Sequence, residues 1–93
     1  MHTVPSQKYI DLSSSRKVPV IASFDVKGDC IPLYFRYNFE DGTYTDISID
    51  RIIKTEKGSS KTAYTCYVTT YDIRRTIKIV YFKEQGFWAI NVY

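Results

Sequence analysis

Asp46 and Asp50 stand four residues apart with Ser48 between them, and in a strand all three fall on one face. Paired carboxylates at such a spacing can exchange protons in acid–base catalysis or hold a hard cation. The spacing is equally that of solvent-facing residues behind the apolar row of Ile47 and Ile49, and this plainer reading is preferred. Other catalytic chemistry lacks its parts. The single histidine is His2, so no imidazole in the body of the chain can activate a serine or cysteine. Cys30 and Cys66 lie far apart with no CxxC, which is not a zinc-site spacing. The four glycines are single and fall in expected turns, so no phosphate-cradling loop is present. No catalytic residue, cofactor or metal is expected, and the chain is read as non-enzymatic.

Two surfaces have binding character instead. Tyr34 and Arg36 on one strand, Tyr67 and Tyr71 on another, and Lys78 on a third with Arg74 and Arg75 at its entrance are expected on an outward face. Aromatic rings stack on unpaired bases while Arg and Lys hold phosphates, so such a face suits nucleic acid. Tyr and Thr are also ordinary strand residues whose cross-strand pairs stabilise sheets. Val80, Phe82 and Phe87 lie opposite the expected core and together would make an apolar contact patch. Tyr and Arg are enriched at protein interfaces as well. The favoured function is a protein-interaction or self-association module, monomeric or homodimeric, with nucleic-acid binding as the alternative.

The elements that must position these residues are strands. In the segment from Cys30 to Glu40, Ile31, Leu33, Phe35, Tyr37 and Phe39 occupy every second position. That alternation puts one apolar row on one face. Asp41-Gly42 follows as a tight hairpin turn, because Gly accepts the positive φ required there. Further strands are expected at 18–26, 43–56, 62–71, 75–83 and 87–93. Ile52 and Ile53 break the period of two after Ile47 and Ile49, which implies a β-bulge or sharp bend near Asp50-Arg51. Cys66 is expected to face inward with Tyr64 and Val68, and Cys30 outward, so both are read as free thiols. Trp88, Ile90 and Val92 are expected inward.

Six short strands joined by tight turns, with no helical period, give an all-β fold. A strongly bent antiparallel sheet hides its edges best in so short a chain, hence an SH3-like, partly open barrel or β-roll. A chain of 93 residues holds one domain. Residues 1–16 read as a polar tail and 17–93 as the barrel. No apolar leader and no apolar run near ~18 residues is present, so a cytoplasmic location without a membrane partner is expected. The net charge is +3, and residues 50–93 carry the basic excess, a weak pointer to an anionic partner.

Taken together, VPVIASFDVKGDCIPLYFRY, DGTYTDISIDRII, YTCYV and IKIVYFKEQGFWAI resemble a group of small uncharacterised bacterial proteins of Clostridia-like genomes. The resemblance spans roughly residues 18–92 and rests on strand-like motifs. It implies a small cytoplasmic β-barrel of unknown role. The loop at 57–61 is shorter and less glycine-rich than its counterpart in that group.

Overall fold

Pro19 divides the first expected strand in two. In a computed structural model, whose residues 9–91 are described here, the chain forms seven strands rather than six. They are β1 (Arg16–Val18), β2 (Val20–Phe24), β3 (Cys30–Asn38), β4 (Tyr44–Lys57), β5 (Lys61–Thr70), β6 (Ile73–Phe82) and β7 (Phe87–Ile90). Proline has no N–H to give a ladder and a fixed φ, so the chain changes partners there. β1 pairs with β7, Val18 opposite Trp88, while β2 pairs with β3, Val20 opposite Phe35. The Pro19 carbonyl accepts a hydrogen bond from the Arg36 N–H at 2.9 Å.

All pairings are antiparallel and the sheet order is β1-β7-β6-β5-β4-β3-β2. The two end strands of the sheet are therefore neighbours in the chain. The sheet curls until one kinked segment supplies both of its ends, giving a small, partly open all-β barrel. The wall is sealed where β1 lies on β7 and open beyond Pro19, where β2 has only β3 beside it. β3 also leaves β4 early, since their pairing runs from Asn38–Tyr44 to Tyr34–Ser48. The far half of the β2–β3 hairpin is thus a two-stranded lobe with no ladder to β4.

Three bulges set which side chains face in. On β4 the register shifts between Ile49 and Arg51, as the Ile52-Ile53 break implies, and again between Ile52 and Lys54. Each shift adds one residue, Asp50 and then Ile53, and bends the strand. The third shift lies opposite Ile21/Ala22, where Tyr34 and Pro32 are the successive partners and Leu33 is the extra residue. It corrects the expected inner row of β3. Phe35 and Tyr37 are buried and Phe39 packs on the core, but Pro32 is buried where Leu33 was expected, and Leu33 is 44% exposed. The same shift puts Cys30 on the side of Pro32, inward rather than outward.

The core joins Val18, Phe35, Tyr37, Ile47, Tyr64, Cys66, Val68, Ile77, Ile79 and Ile90, with Trp88 packed against it. Val92 and residues 1–8 lie outside the described residues. From 9 to 15 the segment expected as a polar tail is seated on the barrel. Leu12 is buried in the core and Ile10 packs beside it. The Asp11 N–H donates to the Tyr37 hydroxyl at 3.0 Å, and the Ser15 hydroxyl donates to the Asn91 carbonyl at 2.5 Å. Asn91 also donates its side-chain amide to the Leu12 carbonyl. The β5–β6 turn carries Tyr71 and Asp72 at φ 51° and 62°, the double positive φ that a two-residue hairpin demands.

Candidate interaction surfaces

On the outer face, β3 presents Tyr34 and Arg36. Arg36 is engaged across the ladder: its Nε lies 3.0 Å from Asp46 Oδ1, and its guanidinium sits 3.7 Å above the Tyr44 ring. That hydrogen bond raises the Arg36 pKa. Pro19, Val20, Ile21 and Tyr34 join this pair around a shallow hollow of about 140 Å³. Asp50, the bulged residue, accepts a hydrogen bond from the Thr69 hydroxyl at 2.6 Å. Asp46 and Asp50 therefore each serve a different cross-strand partner. Among the described residues no three His, Cys, Asp or Glu side chains gather closely enough to hold a metal ion. His2 lies outside the described residues.

The second part of the expected face lies on β5 and β6, and the register decides who belongs to it. Residues directly opposite in an antiparallel pair share a face. Tyr67 stands between Arg51 of β4 and Thr76 of β6. One rung along, Thr65 stands between Lys54 and Lys78; in the other direction Thr69 faces Arg74. The Arg74 guanidinium lies 5.0 Å from the Tyr67 ring centroid. Tyr67, Arg74 and Lys78 are thus brought together. Tyr34 and Arg36 are not with them, because β3 pairs with β4 before β4 reaches β5. Tyr71 sits in the turn. Arg75 is opposite Val68, on the other side of the sheet from Arg74.

Arg51 and Lys54 were not among the expected face residues. Strict alternation would send residues 51 and 54 to opposite faces. The extra residue Ile53 lets both point outward beside Tyr67 and Thr65. The Ile52-Ile53 pair was the available signal, but it marks a bulge without saying which neighbours it re-aims. Glu56 is the counter-charge, with its carboxylate 3.9 Å from Lys54 Nζ and 3.8 Å from Lys78 Nζ.

The expected apolar patch lies on this same face. Lys78, Val80 and Phe82 are successive outward positions of β6, and Phe87 is paired with Phe82. The two rings stack at 4.7 Å, and Lys17 Nζ lies 4.3 Å above the Phe87 ring. Val80 sits between Ala63 and Ala89 and is only 1% exposed, so the middle of the patch is closed. Phe82 and Phe87 are half-buried.

A different surface surrounds the open end. Tyr64 and Tyr81 pack on Trp88 at 5.9 and 4.9 Å between ring centroids. Between them and the β2–β3 lobe runs a cleft of about 190 Å³, lined by Phe24, Cys30, Tyr64, Tyr81 and Lys83 among others. Two contacts tether the lobe across it: the Tyr64 hydroxyl donates to the Cys30 carbonyl, and Lys57 Nζ meets Asp29 Oδ1 at 2.9 Å. Burial pushes the Tyr64 phenol and the Cys66 thiol up to about 12 and raises Cys30. Both cysteines are free and stay protonated at neutral pH, which leaves them poor nucleophiles. The lobe carries Ile21 at 51%, Phe24 at 72% and Val26 at 104% exposure, besides Leu33. Among the described residues no helix is long and apolar enough to cross a membrane. Comparison with family models, with curated proteins and with solved structures yields no match.

Proposed function

We propose that this chain is a non-catalytic protein-interaction module, a small SH3-like barrel acting in the bacterial cytoplasm, and that it associates with a second copy of itself through β2. One observation carries the reading. β2 is hydrogen-bonded on one side only, carries no charge in Val20–Phe24, and belongs to a lobe of two strands. A strand with a free edge turns alternate N–H and C=O groups outward, a template for another strand. Edges that stay unpaired are commonly guarded by Lys, Pro or a bulge, and between Val20 and Phe24 only the β3 bulge serves. A two-stranded ribbon is marginal by itself, and a third strand would complete it. Four of the nine large apolar side chains exposed among the described residues, Ile21, Phe24, Val26 and Leu33, cluster on this lobe. Antiparallel pairing of two β2 edges about a two-fold axis would bring Ile21 near Ser23 and Val20 near Phe24, with no like charges opposed.

Light scattering from low to high micromolar concentration tests it. The mass is expected to rise from monomer toward dimer, and Ser23→Lys, a charge on the exposed edge, is expected to hold it at monomer. A constant monomer mass in the unmodified chain, or a dimer indifferent to Ser23→Lys, would reject the β2 contact.

A further inference from the structure

Tyr67, Arg74 and Lys78 from the expected basic and aromatic set and Val80, Phe82 and Phe87 from the expected apolar set form one continuous track on the outward face of β4 to β7, joined there by Arg51 and Lys54. It begins at Arg51, Tyr67 and Arg74. Lys54 and Lys78 follow one rung along, flanking Thr65. Next comes a hollow of about 290 Å³, floored by Ala63 and Val80 and rimmed by Lys61, Lys78 and Glu56. The track ends on the stacked Phe82–Phe87 pair, with Lys61 opposite Phe82 and Lys17 over Phe87. From Tyr67 to Lys61 is six residues of β5, or about 20 Å at the rise of a strand. Cations thus line both sides of a ribbon that has a ring at each end and a small-residue hollow between. Glu56 and Asp50 are the acidic residues among these outward positions, and Asp50 is bonded to Thr69.

We infer that this track binds single-stranded nucleic acid, with phosphates on Arg51, Lys54, Arg74 and Lys78 and bases against Tyr67 and the Phe82–Phe87 pair. Charge complementarity selects a polyanion. The rings select unpaired bases, since a base inside a duplex has no free π-face to offer. Arg74, already lying over Tyr67, presents a second flat surface on which a base can stack. The hollow over Ala63 and Val80 lets a chain lie close to the sheet between the two aromatic stations. This surface is on a different part of the barrel from the β2 edge, and it needs no second copy.

The test is fluorescence anisotropy with a labelled oligothymidylate of about ten nucleotides, within the usual site size of such surfaces. Four phosphate contacts on a single strand give a log–log salt slope of about −2.8, so affinity is expected to fall about 50-fold between about 50 and 200 mM salt. In Arg51→Gln with Lys54→Gln, both exposed and outside the core, two contacts remain and the fall shrinks to about sevenfold. Tyr67→Thr keeps a strand-favouring residue and is expected to weaken binding at least about fivefold. Glu56→Gln removes the opposing charge and is expected to tighten it, on the order of threefold. The Ser23→Lys variant, which separates copies at the β2 edge, is expected to bind the oligonucleotide unchanged. Absence of binding at low salt, a salt slope unmoved by the Arg51/Lys54 variant, or equal affinity for a duplex of the same length would each overturn the proposal.

Discussion

Asn91 holds the start of the domain to its end, and replacing it dissects that attachment. Its φ is 55°, a conformation that costs an alanine roughly 1–2 kcal/mol and a glycine almost nothing. Its side-chain amide is the donor for the buried Leu12 carbonyl, and its Oδ1 lies 3.5 Å from the Lys78 N–H. Leaving a buried carbonyl without a donor costs about 1–3 kcal/mol. Asn91→Ala incurs both penalties and is expected to cost about 2–5 kcal/mol, a large share of the ~5–15 kcal/mol that stabilises a domain. Asn91→Gly incurs the lost hydrogen bond alone and is expected to cost about 1 kcal/mol less than Asn91→Ala. Asn91→Asp keeps the backbone preference but points a carboxylate at the Leu12 carbonyl, so it is expected to be at least as costly as Asn91→Ala. Guanidinium unfolding followed through the single tryptophan, Trp88, measures all three. Hydrogen exchange supplies an independent check, because the backbone amides of residues 11–15 are expected to lose protection before the strands do. Equal costs for Gly and Ala would remove the backbone part of the argument. A cost below about 0.5 kcal/mol for Asn91→Ala would remove the anchor altogether.

Two further expectations test the interior. Tyr64 and Cys66 ionise near 10.0 and 9.0 when unfolded but near about 12 in the fold. Stability is therefore expected to be level below about pH 9 and to fall as the unfolded chain loses these protons first, through the interval up to about 12. Unfolding midpoints at about pH 8 and about pH 10.5 are expected to differ less in Tyr64→Phe/Cys66→Ala than in the unmodified chain, and parallel falls would sink the burial argument. Phe35→Ala empties a fully buried site and is expected to cost about 3–5 kcal/mol, whereas Leu33→Ala is expected to cost less than about 1 kcal/mol. Similar costs at the two positions would mean that Leu33 faces inward and that the bulge is absent.

How far the sequence discloses this molecule depends on what each feature needs. Alternation in YTCYV needs only the period of a strand, and Tyr64, Cys66 and Val68 are buried as it implies. Asp41-Gly42 needs only the φ preference of glycine, and Gly42 stands at φ 88° in the β3–β4 turn. The bulge at Asp50 was legible because two adjacent isoleucines cannot both continue one row. The bulge at Leu33 was not, because I-P-L-Y-F-R-Y alternates without a fault and the shift appears only against Ile21 and Ala22 on the partner strand. Pro19 was visible, but its effect depends on β7 waiting as a second partner for β1, a contact some seventy residues away in the chain. The candidate surfaces fail for the same reason. Arg74 and Arg75 look like a pair in sequence and lie on opposite sides of the sheet. Arg51 and Lys54 look unrelated to Tyr67 until cross-strand register is known.

The bends that close the barrel and the chemistry of its outer face are one design problem. A strand of fourteen residues must curve to follow so small a circumference, and β4 does so by inserting Asp50 and Ile53. An inserted residue changes the parity of everything beyond it. Inserting one sends Ile52 inward to Cys66, and inserting the second sends Lys54 outward to Thr65 while returning Thr55 to the inner row opposite Tyr64. With neither insertion, Ile52 would pair on the outer face and Arg51 on the inner one. Ile53 would take an inner place opposite Tyr64, and a guanidinium would enter the core opposite Cys66. The curvature that packs Ile52 therefore also delivers Arg51 and Lys54 to the side of Tyr67. Their gathering there needs no separate feature of the fold, and forcing β4 to pair without a bulge at Asp50 would disturb the core and the cationic track together.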